Sequence, residues 1–204
     1  MSENSSIDAL IVAAGNSSRC TGYKPLFQWH NKFLISHIIE KSAAVCEQVV
    51  VVTGHNAELL ESSVIGSVPF TIIPRVTFVH NKNYHRGMFS SLQAGCEALS
   101  GASWALYQFT DQPGLPVSFL EEFMGQISTD VDWIQPVFDG KKGHPLLLSP
   151  KMQRMICRAK PNSTLKELGH DPGVVKKLWD CTYPEIHVDI DTDEAWEAFL
   201  RQYP

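Results

Sequence analysis

The strand read at Asp8–Ala14 is apolar at every position after the first, and it empties into a short polar loop, Gly15–Lys24. A strand with no polar face has to be covered on both sides, which sets it inside a parallel sheet between two helix layers. The loop, G-N-S-S-R-C-T-G-Y-K, joins glycines and hydroxyls to two cations, Arg19 and Lys24. No Asp or Glu occurs between Asp8 and Glu40, although the chain has a formal net charge of −5. Beyond a buried strand, free backbone N–H groups and side-chain cations make a cradle for phosphate. The plainer alternative is a strand-to-helix turn with two solvated cations; the length of the segment and the agreement of its features favour the cradle.

Further along, apolar runs alternate with segments of helical period. Phe33–Cys46 is predicted helical, Gln48–Thr53 a buried strand, and Asn56–Ile65 a short helix with Asn56 as its cap. Phe70–Val79 reads as extended around Pro74, and a helix opens at Gly87 with Met88, Leu92, Cys96 and Leu99 on one face. Trp104–Thr110 is a strand and Pro116–Ser128 a helix. Trp133–Phe138 and Pro145–Ser149 then read as strands joined by a turn at Asp139–Gly143. Helices near Pro150–Arg158 and Ser163–Leu168, a strand at Glu185–Ile190 and a helix at Asp193–Arg201 complete the pattern. Strand–helix repetition implies a three-layer α/β/α fold with a mostly parallel, Rossmann-like sheet; the hairpin-like stretch after residue 132 adds a short antiparallel element.

A chain of 204 residues suits one domain. No linker divides it, so residues 1–204 are taken together as one domain. The acidic balance argues against a nucleic-acid partner, and no apolar run is long enough to span a membrane. Met1–Ser6 lacks the pattern of a signal peptide. Five scattered cysteines fit reduced thiols, so a cytoplasmic setting is expected. Cys20 lies between Arg19 and Lys24, a setting that lowers a thiol pKa if the charges are close.

The loop is not a P-loop: Gly15 and Gly22 are too far apart for G-x-x-x-x-G-K-[ST], and Tyr23 precedes the lysine. No G-x-G-x-x-G, G-x-S-x-G or H-E-x-x-H occurs, which argues against dinucleotide-dependent dehydrogenases, serine hydrolases and metalloproteases. Asp111 follows the Trp104–Thr110 strand in T-D-Q-P-G. That is where open α/β sheets bind ligands, and a carboxylate there suits Mg²⁺ shared with a nucleotide; an ordinary turn-forming Asp is the alternative. Near the end, V-D-I-D-T-D-E would place His187, Asp189 and Asp191 on one face of a strand. Asp189 and Asp191 could complete a metal site with Asp111, whereas Asp191 to Glu194 also matches a helix capping box. Asn81, Gly87 and Ser90 belong to a polar loop that could meet a base or ribose or simply connect. His144 opens a strand where it could touch phosphate, although a lone histidine is more often structural.

Together these segments resemble the MobA-like nucleotidyltransferase family, and within it the cytidine-using branch that acts on the molybdenum cofactor. The resemblance rests on A-A-G-x-S-S-R-x-x-x-x-K (Ala13–Lys24), V-T-G (Val52–Gly54) and G-M-F-S-S-L-Q-A-G (Gly87–Gly95). It continues through D-Q-P (Asp111–Pro113), G-H-P (Gly143–Pro145) and D-I-D-T (Asp189–Thr192), in family order over nearly the whole chain. Cys20-Thr21-Gly22 replaces the family's Met-Gly, Arg75–His80 are additional, and Asp193-Glu194-Ala195 stands where the family has Pro-Glu-Asp.

The resemblance implies CTP, from the double alanine Ala13-Ala14, and a molybdopterin-type phosphate acceptor, with transient contact to a recipient molybdoenzyme or its chaperone. It implies that Ala13, Ala14, Gly15, Ser17 and Ser18 meet the nucleotide and that Arg19 and Lys24 hold its β and γ phosphates. Asp111 with Asp191, or with Asp189, would hold Mg²⁺, with Mn²⁺ as a substitute. Residues 1–115 would then be the nucleotide-binding part, and 116–204 the acceptor-binding part with the second metal ligand. A cytidylyltransferase for a sugar, polyol or choline phosphate and a non-catalytic cofactor carrier are the competing readings.

Overall fold

The computed structural model describes residues 6–204, so most of the segment inspected for a signal peptide lies outside the described residues. Strand β1 (Ile7–Val12) carries the predicted apolar run, and its side chains divide by parity. Ala9 and Ile11 enter one core, while Leu10 and Val12 enter another on the opposite face of the sheet. Strand β4 (Val49–Thr53) divides in the same way, Val49 and Val51 against Val50 and Val52. Helices α1 (Leu34–Val45), α2 (Ala57–Ser67) and α4 (Val117–Met124) cover the first face. Helices α3 (Met88–Ala98) and α5 (Pro150–Arg158) cover the second. Fully burying one such aliphatic side chain contributes roughly 1.5–3 kcal/mol, so both layers are tightly fixed to the sheet.

The main sheet has eight strands among the described residues. Besides β1 and β4 they are β5 (Val76–His80), β6 (Trp104–Phe109), β7 (Trp133–Phe138), β8 (Lys141–Lys142), β9 (Leu146–Leu148) and β10 (Lys176–Asp180). Their order is β10-β7-β9-β6-β1-β4-β5, with β8 paired to β7. Strand β9 is antiparallel to both β6 and β7 and joins the two parallel halves. The predicted three-layer, mostly parallel architecture with a short antiparallel element is therefore correct. A two-stranded hairpin, β2 (Gln28–Trp29) and β3 (Lys32–Phe33), lies outside the main sheet. No helix among the described residues is long and apolar enough to cross a membrane.

Several local expectations are corrected. Glu185–Ile190 is not a strand: Pro184–His187 form a 3-10 turn, and the chain beyond it is irregular to Thr192. The strand in this region is β10, which forms the sheet edge beside β7. Asn56 adopts a left-handed conformation and makes no side-chain cap. Val76–His80 alone of the Phe70–Val79 region enters the sheet, because Ile73–Arg75 coil into a 3-10 turn at Pro74. Helix α4 ends at Met124, short of Ser128. After the short α6 (Leu165–Leu168), the final helix α7 (Asp193–Gln202) is capped by Thr192, whose side chain accepts from the Ala195 N–H, so the capping box through Asp191 does not form.

Helix α7 folds back on the N-terminal third of the chain. Phe199 and Ile190 are buried with Leu34, and Phe27, Trp29, Trp196 and Tyr203 pack around them. The Trp29 indole N–H donates to the Tyr203 carbonyl at 2.8 Å. This third core carries the Asp191–Asp193 corner onto the phosphate-type loop.

Candidate active site

The loop after β1 is held in shape by its own residues. Ser17 takes a left-handed φ of 52°. Its carbonyl accepts from the Cys20 N–H at 2.9 Å, and its hydroxyl accepts from the Lys24 N–H at 3.0 Å. Tyr23 anchors the loop from below, donating its hydroxyl to the carbonyls of Ala13 and His55. Burial pushes the Tyr23 phenol above its ordinary range, so it acts as a fixed donor.

Asp111 closes β6 on a turn that two contacts immobilise. The Asp111 carbonyl accepts from the Ile190 N–H at 2.9 Å, which carries Asp191 across the loop. From α1, the half-buried Lys41 donates to the carbonyls of Pro113 and Leu115 at 2.7 and 2.8 Å. Burial lowers the Lys41 amine to about 8. The neutral amine still has two donors for these carbonyls.

A pH dependence follows. The folded protein sheds this proton near pH 8, whereas an unfolded lysine keeps it to about pH 10.4. Across that window the unfolded chain binds more protons, so stability rises with pH, and the gain is lost as pH falls through the folded value. Melting temperatures of the wild type and Lys41→Met over that window check this. The wild-type advantage should grow with pH; a flat or shrinking difference contradicts it.

Around the loop lies a cleft of about 310 Å³. Ala13, Ala14, Gly15, Ser17, Ser18, Arg19, Lys24, Gly87, Asp111 and Asp191 all line it, so ten sequence-derived residues from four segments meet there. Lys24 Nζ is 3.2 Å from Asp191 Oδ1 and 3.6 Å from Asp111 Oδ2, and Arg19 Nη2 lies 3.0 Å from the same Asp191 oxygen. Burial pushes the Asp111 carboxyl above its ordinary value; Lys24 opposes that shift, and Asp189 and Asp191 add to it. The Cys20 thiol is likewise raised, by burial first and by Asp193 and Asp191, against the opposing effect of Lys24 and Arg19, so the lowered thiol pKa that its neighbours suggested is corrected.

The remaining expected residues lie apart from this cleft. Asn81 is buried, and its side chain is engaged by Ser90, Ser91 and the Asn83 N–H. Ser90 in turn donates to the Gly87 and Asn83 carbonyls. Both shape the turn that presents Gly87, whose φ of 101° suits glycine. Asp189 accepts from the Gln112 amide at 2.7 Å, and so braces the Asp111 turn from the side. Tyr84, Met88, Ser91 and Phe109 were missed as cleft residues. Tyr84 had a faint signal, as the only aromatic in the N-K-N-Y-H-R stretch.

A second cleft of about 650 Å³ adjoins the first, sharing Gly87, Met88 and Phe109 with it. Tyr107, Trp133 and Leu146 form apolar wall, and Arg86, Lys142, Lys166 and Lys176 supply positive charge. No Asp or Glu belongs to its lining. His144 lies here, its ring edge-on to Phe109 at 5.1 Å, and burial lowers its pKa.

No group of three or more His, Cys, Asp or Glu among the described residues could hold a metal unaided. Asp111 and Asp191, both within reach of Lys24, would supply two carboxylates to a half-site. That donor set fits Mg²⁺, which prefers one or two carboxylates with substrate phosphates and water supplying the rest.

A parallel sheet with a polar, cation-bearing loop after its first strand, and a carboxylate pair beside that loop, suits the binding of a metal-associated polyphosphate. The family model described as the MobA-like NTP transferase domain matches residues 9–173, and the chain belongs to that family. It is similar to a molybdenum cofactor cytidylyltransferase from Escherichia coli (strain K12), 27% identical over 98% of both chains. A probable molybdenum cofactor guanylyltransferase from Bacillus cytotoxicus is 24% identical over 96% of both. In fold it is similar to a nucleotidyl transferase from Methanothermobacter thermautotroptrophicus, with a TM-score of 0.78, 21% identity and coverage of 98% and 99%.

Proposed function

We propose that the chain transfers a cytidylyl group from CTP to the terminal phosphate of molybdopterin bearing its metal, and releases pyrophosphate. The observation that carries this reading is the meeting of two unlike clefts at Gly87, Met88 and Phe109. One offers cations and a carboxylate pair to a metal-bound triphosphate. The other offers aromatic wall and an acid-free lining to an anionic, ring-containing acceptor.

In this reading an oxygen of the acceptor phosphate bonds to the α-phosphorus of CTP as the bond to the β-phosphate bridging oxygen breaks. The acceptor is already ionised near neutral pH, so no general base is needed, and catalysis rests on alignment and charge neutralisation. Arg19 and Lys24 hold the β and γ phosphates and stabilise the leaving pyrophosphate. Asp111 and Asp191 would hold Mg²⁺ or, in its place, Mn²⁺, which would supply positive charge against the α-phosphate and the leaving group. Asp189, bonded to Gln112, steadies the turn. Residues 1–115 supply the nucleotide side, while 116–204 supply most of the acceptor cleft and the second metal ligand. Support for the acceptor comes from the relatives named for the molybdenum cofactor, and support for the base from Ala13-Ala14.

Pyrophosphate release by the purified protein, with Mg²⁺ and the molybdenum cofactor as acceptor, tests the proposal. CTP is expected to support release at least about tenfold faster than GTP, a margin of roughly 1.4 kcal/mol in barrier height. Faster release with GTP overturns the base assignment. Release only with a sugar, polyol or choline phosphate overturns the acceptor.

A further inference from the structure

Lys24 is placed where two demands on it conflict. Its ammonium sits between Asp111 and Asp191, 3.6 and 3.2 Å from their carboxylate oxygens, on a side chain only 12% exposed. These are the oxygens that a divalent cation bridging the two acids would need. The same ammonium faces the cleft that would take the triphosphate. One amine cannot neutralise the carboxylates and the phosphates in full at the same time, because it is a single charge with three donors.

The rest of the loop is clasped to the same corner. Arg19 pairs with Asp191, the Cys20 thiol lies 3.6 Å from the Asp191 carbonyl, and the Thr21 N–H donates to the Asp193 carboxylate at 3.1 Å. Loop cations and corner acids therefore neutralise one another. A metal ion approaching alone meets carboxylates that already have a counter-charge, and a polyphosphate approaching alone meets cations that already have theirs.

We propose that Lys24 is the internal occupant of the cation position, so that divalent metal and triphosphate gain the site only together. The anion draws the ammonium away from Asp111 and Asp191, and the freed oxygens take the metal. Lys24 thereby couples two ligands as well as binding one of them. The inference rests on the metal–triphosphate reading of this cleft. It does not depend on the base or the acceptor, so failure of the cytidylyl assay with the coupling intact would overturn only the proposed reaction.

The test is binding without turnover. Mn²⁺ binding in the absence of nucleotide is followed by electron paramagnetic resonance, and metal-free pyrophosphate binding by calorimetry. Lys24→Met removes the internal cation and should bind Mn²⁺ alone at least about tenfold more tightly than the wild type, since one unit charge a few ångströms away is lost. Arg19→Met removes an equal charge from a side chain 66% exposed. Solvent screens that pair, and Mn²⁺ affinity should change by less than about threefold. In the reciprocal experiment, Asp191→Asn frees Arg19 and removes the nearer of the two acids that hold Lys24; it should bind metal-free pyrophosphate about tenfold more tightly, although it weakens Mn²⁺ binding. A Lys24→Met protein with unchanged or weaker Mn²⁺ affinity overturns the proposal, as does an Asp191→Asn protein with unchanged pyrophosphate affinity. Equal effects of Lys24→Met and Arg19→Met would reduce Lys24 to one of several nearby charges, which also overturns it.

Discussion

Asp111→Asn is expected to lower turnover about 10²–10³-fold while leaving the protein folded, the scale of losing one fixed electrostatic partner of a developing charge. The substitution keeps the shape of the side chain and the backbone bond from the Ile190 N–H to the Asp111 carbonyl. It removes a charge that burial already disfavours at this position, so the fold loses little. Lys24 keeps its closer partner, Asp191 at 3.2 Å. The measurement is the pyrophosphate-release rate at saturating CTP and Mg²⁺, with circular dichroism and melting temperature as the check on folding. A variant with full turnover would remove Asp111 from the metal half-site.

The second large effect is on stability and comes from a helix. Gly95 lies in α3 where it crosses β1 and β4, and a Cβ at this position would collide with Leu10 Cδ1 and come within 2.9 Å of Val52 Cγ2. Both neighbours are fully buried, so neither has free space to yield. Gly95→Ala should therefore cost about 1–3 kcal/mol, the usual penalty for overpacking a filled core. That lowers the melting temperature by roughly 2–4 °C per kcal/mol for a chain of this size. Gly66→Ala is the matched control, because it is helical in α2 and nothing lies within 4 Å of its added Cβ. There the same change should stabilise by about 0.5–1 kcal/mol, through helix propensity and a less flexible unfolded chain. Equal shifts of the same sign in both variants would contradict the close approach of α3 to the sheet.

Much of this site was legible because its parts obey local rules. The apolar run into Gly15, the cations at Arg19 and Lys24 and the carboxylate ending β6 each announce themselves within a few residues. Asp191 was found for a partly mistaken reason. The alternation D-I-D resembles a strand, but Ile190 bonds to the Asp111 carbonyl and the chain joins no ladder. Likewise Asp191 and Thr192 were both chemically suited to cap α7, and only tertiary contact decides between them. Arg19 and Lys24 engage the aspartate, and the threonine is left to cap. Strand β10 was overlooked because K-K-L-W-D is an edge strand whose exposed residues interrupt any apolar run. Lysines at a sheet edge discourage pairing with other chains, which blurs the strand signal itself. The second cleft was largely illegible, since Arg86, Lys142, Lys166 and Lys176 come together only through the crossing of distant elements.

The insertion of β9 between β6 and β7 bears on how the molecule is made. Four parallel strands, β5-β4-β1-β6, are all present once Phe109 has been synthesised, yet the outer rim of β6 has its partner only at Leu146–Leu148. At the roughly 5–20 residues per second of translation, the interval of about 40 residues leaves that rim unmatched for some 2–8 s. During that time a growing chain presents an unpaired, apolar strand edge to its neighbours on the same messenger. The strand that joins the two parallel halves of the finished sheet thus also sets the length of the chain's most vulnerable moment at birth.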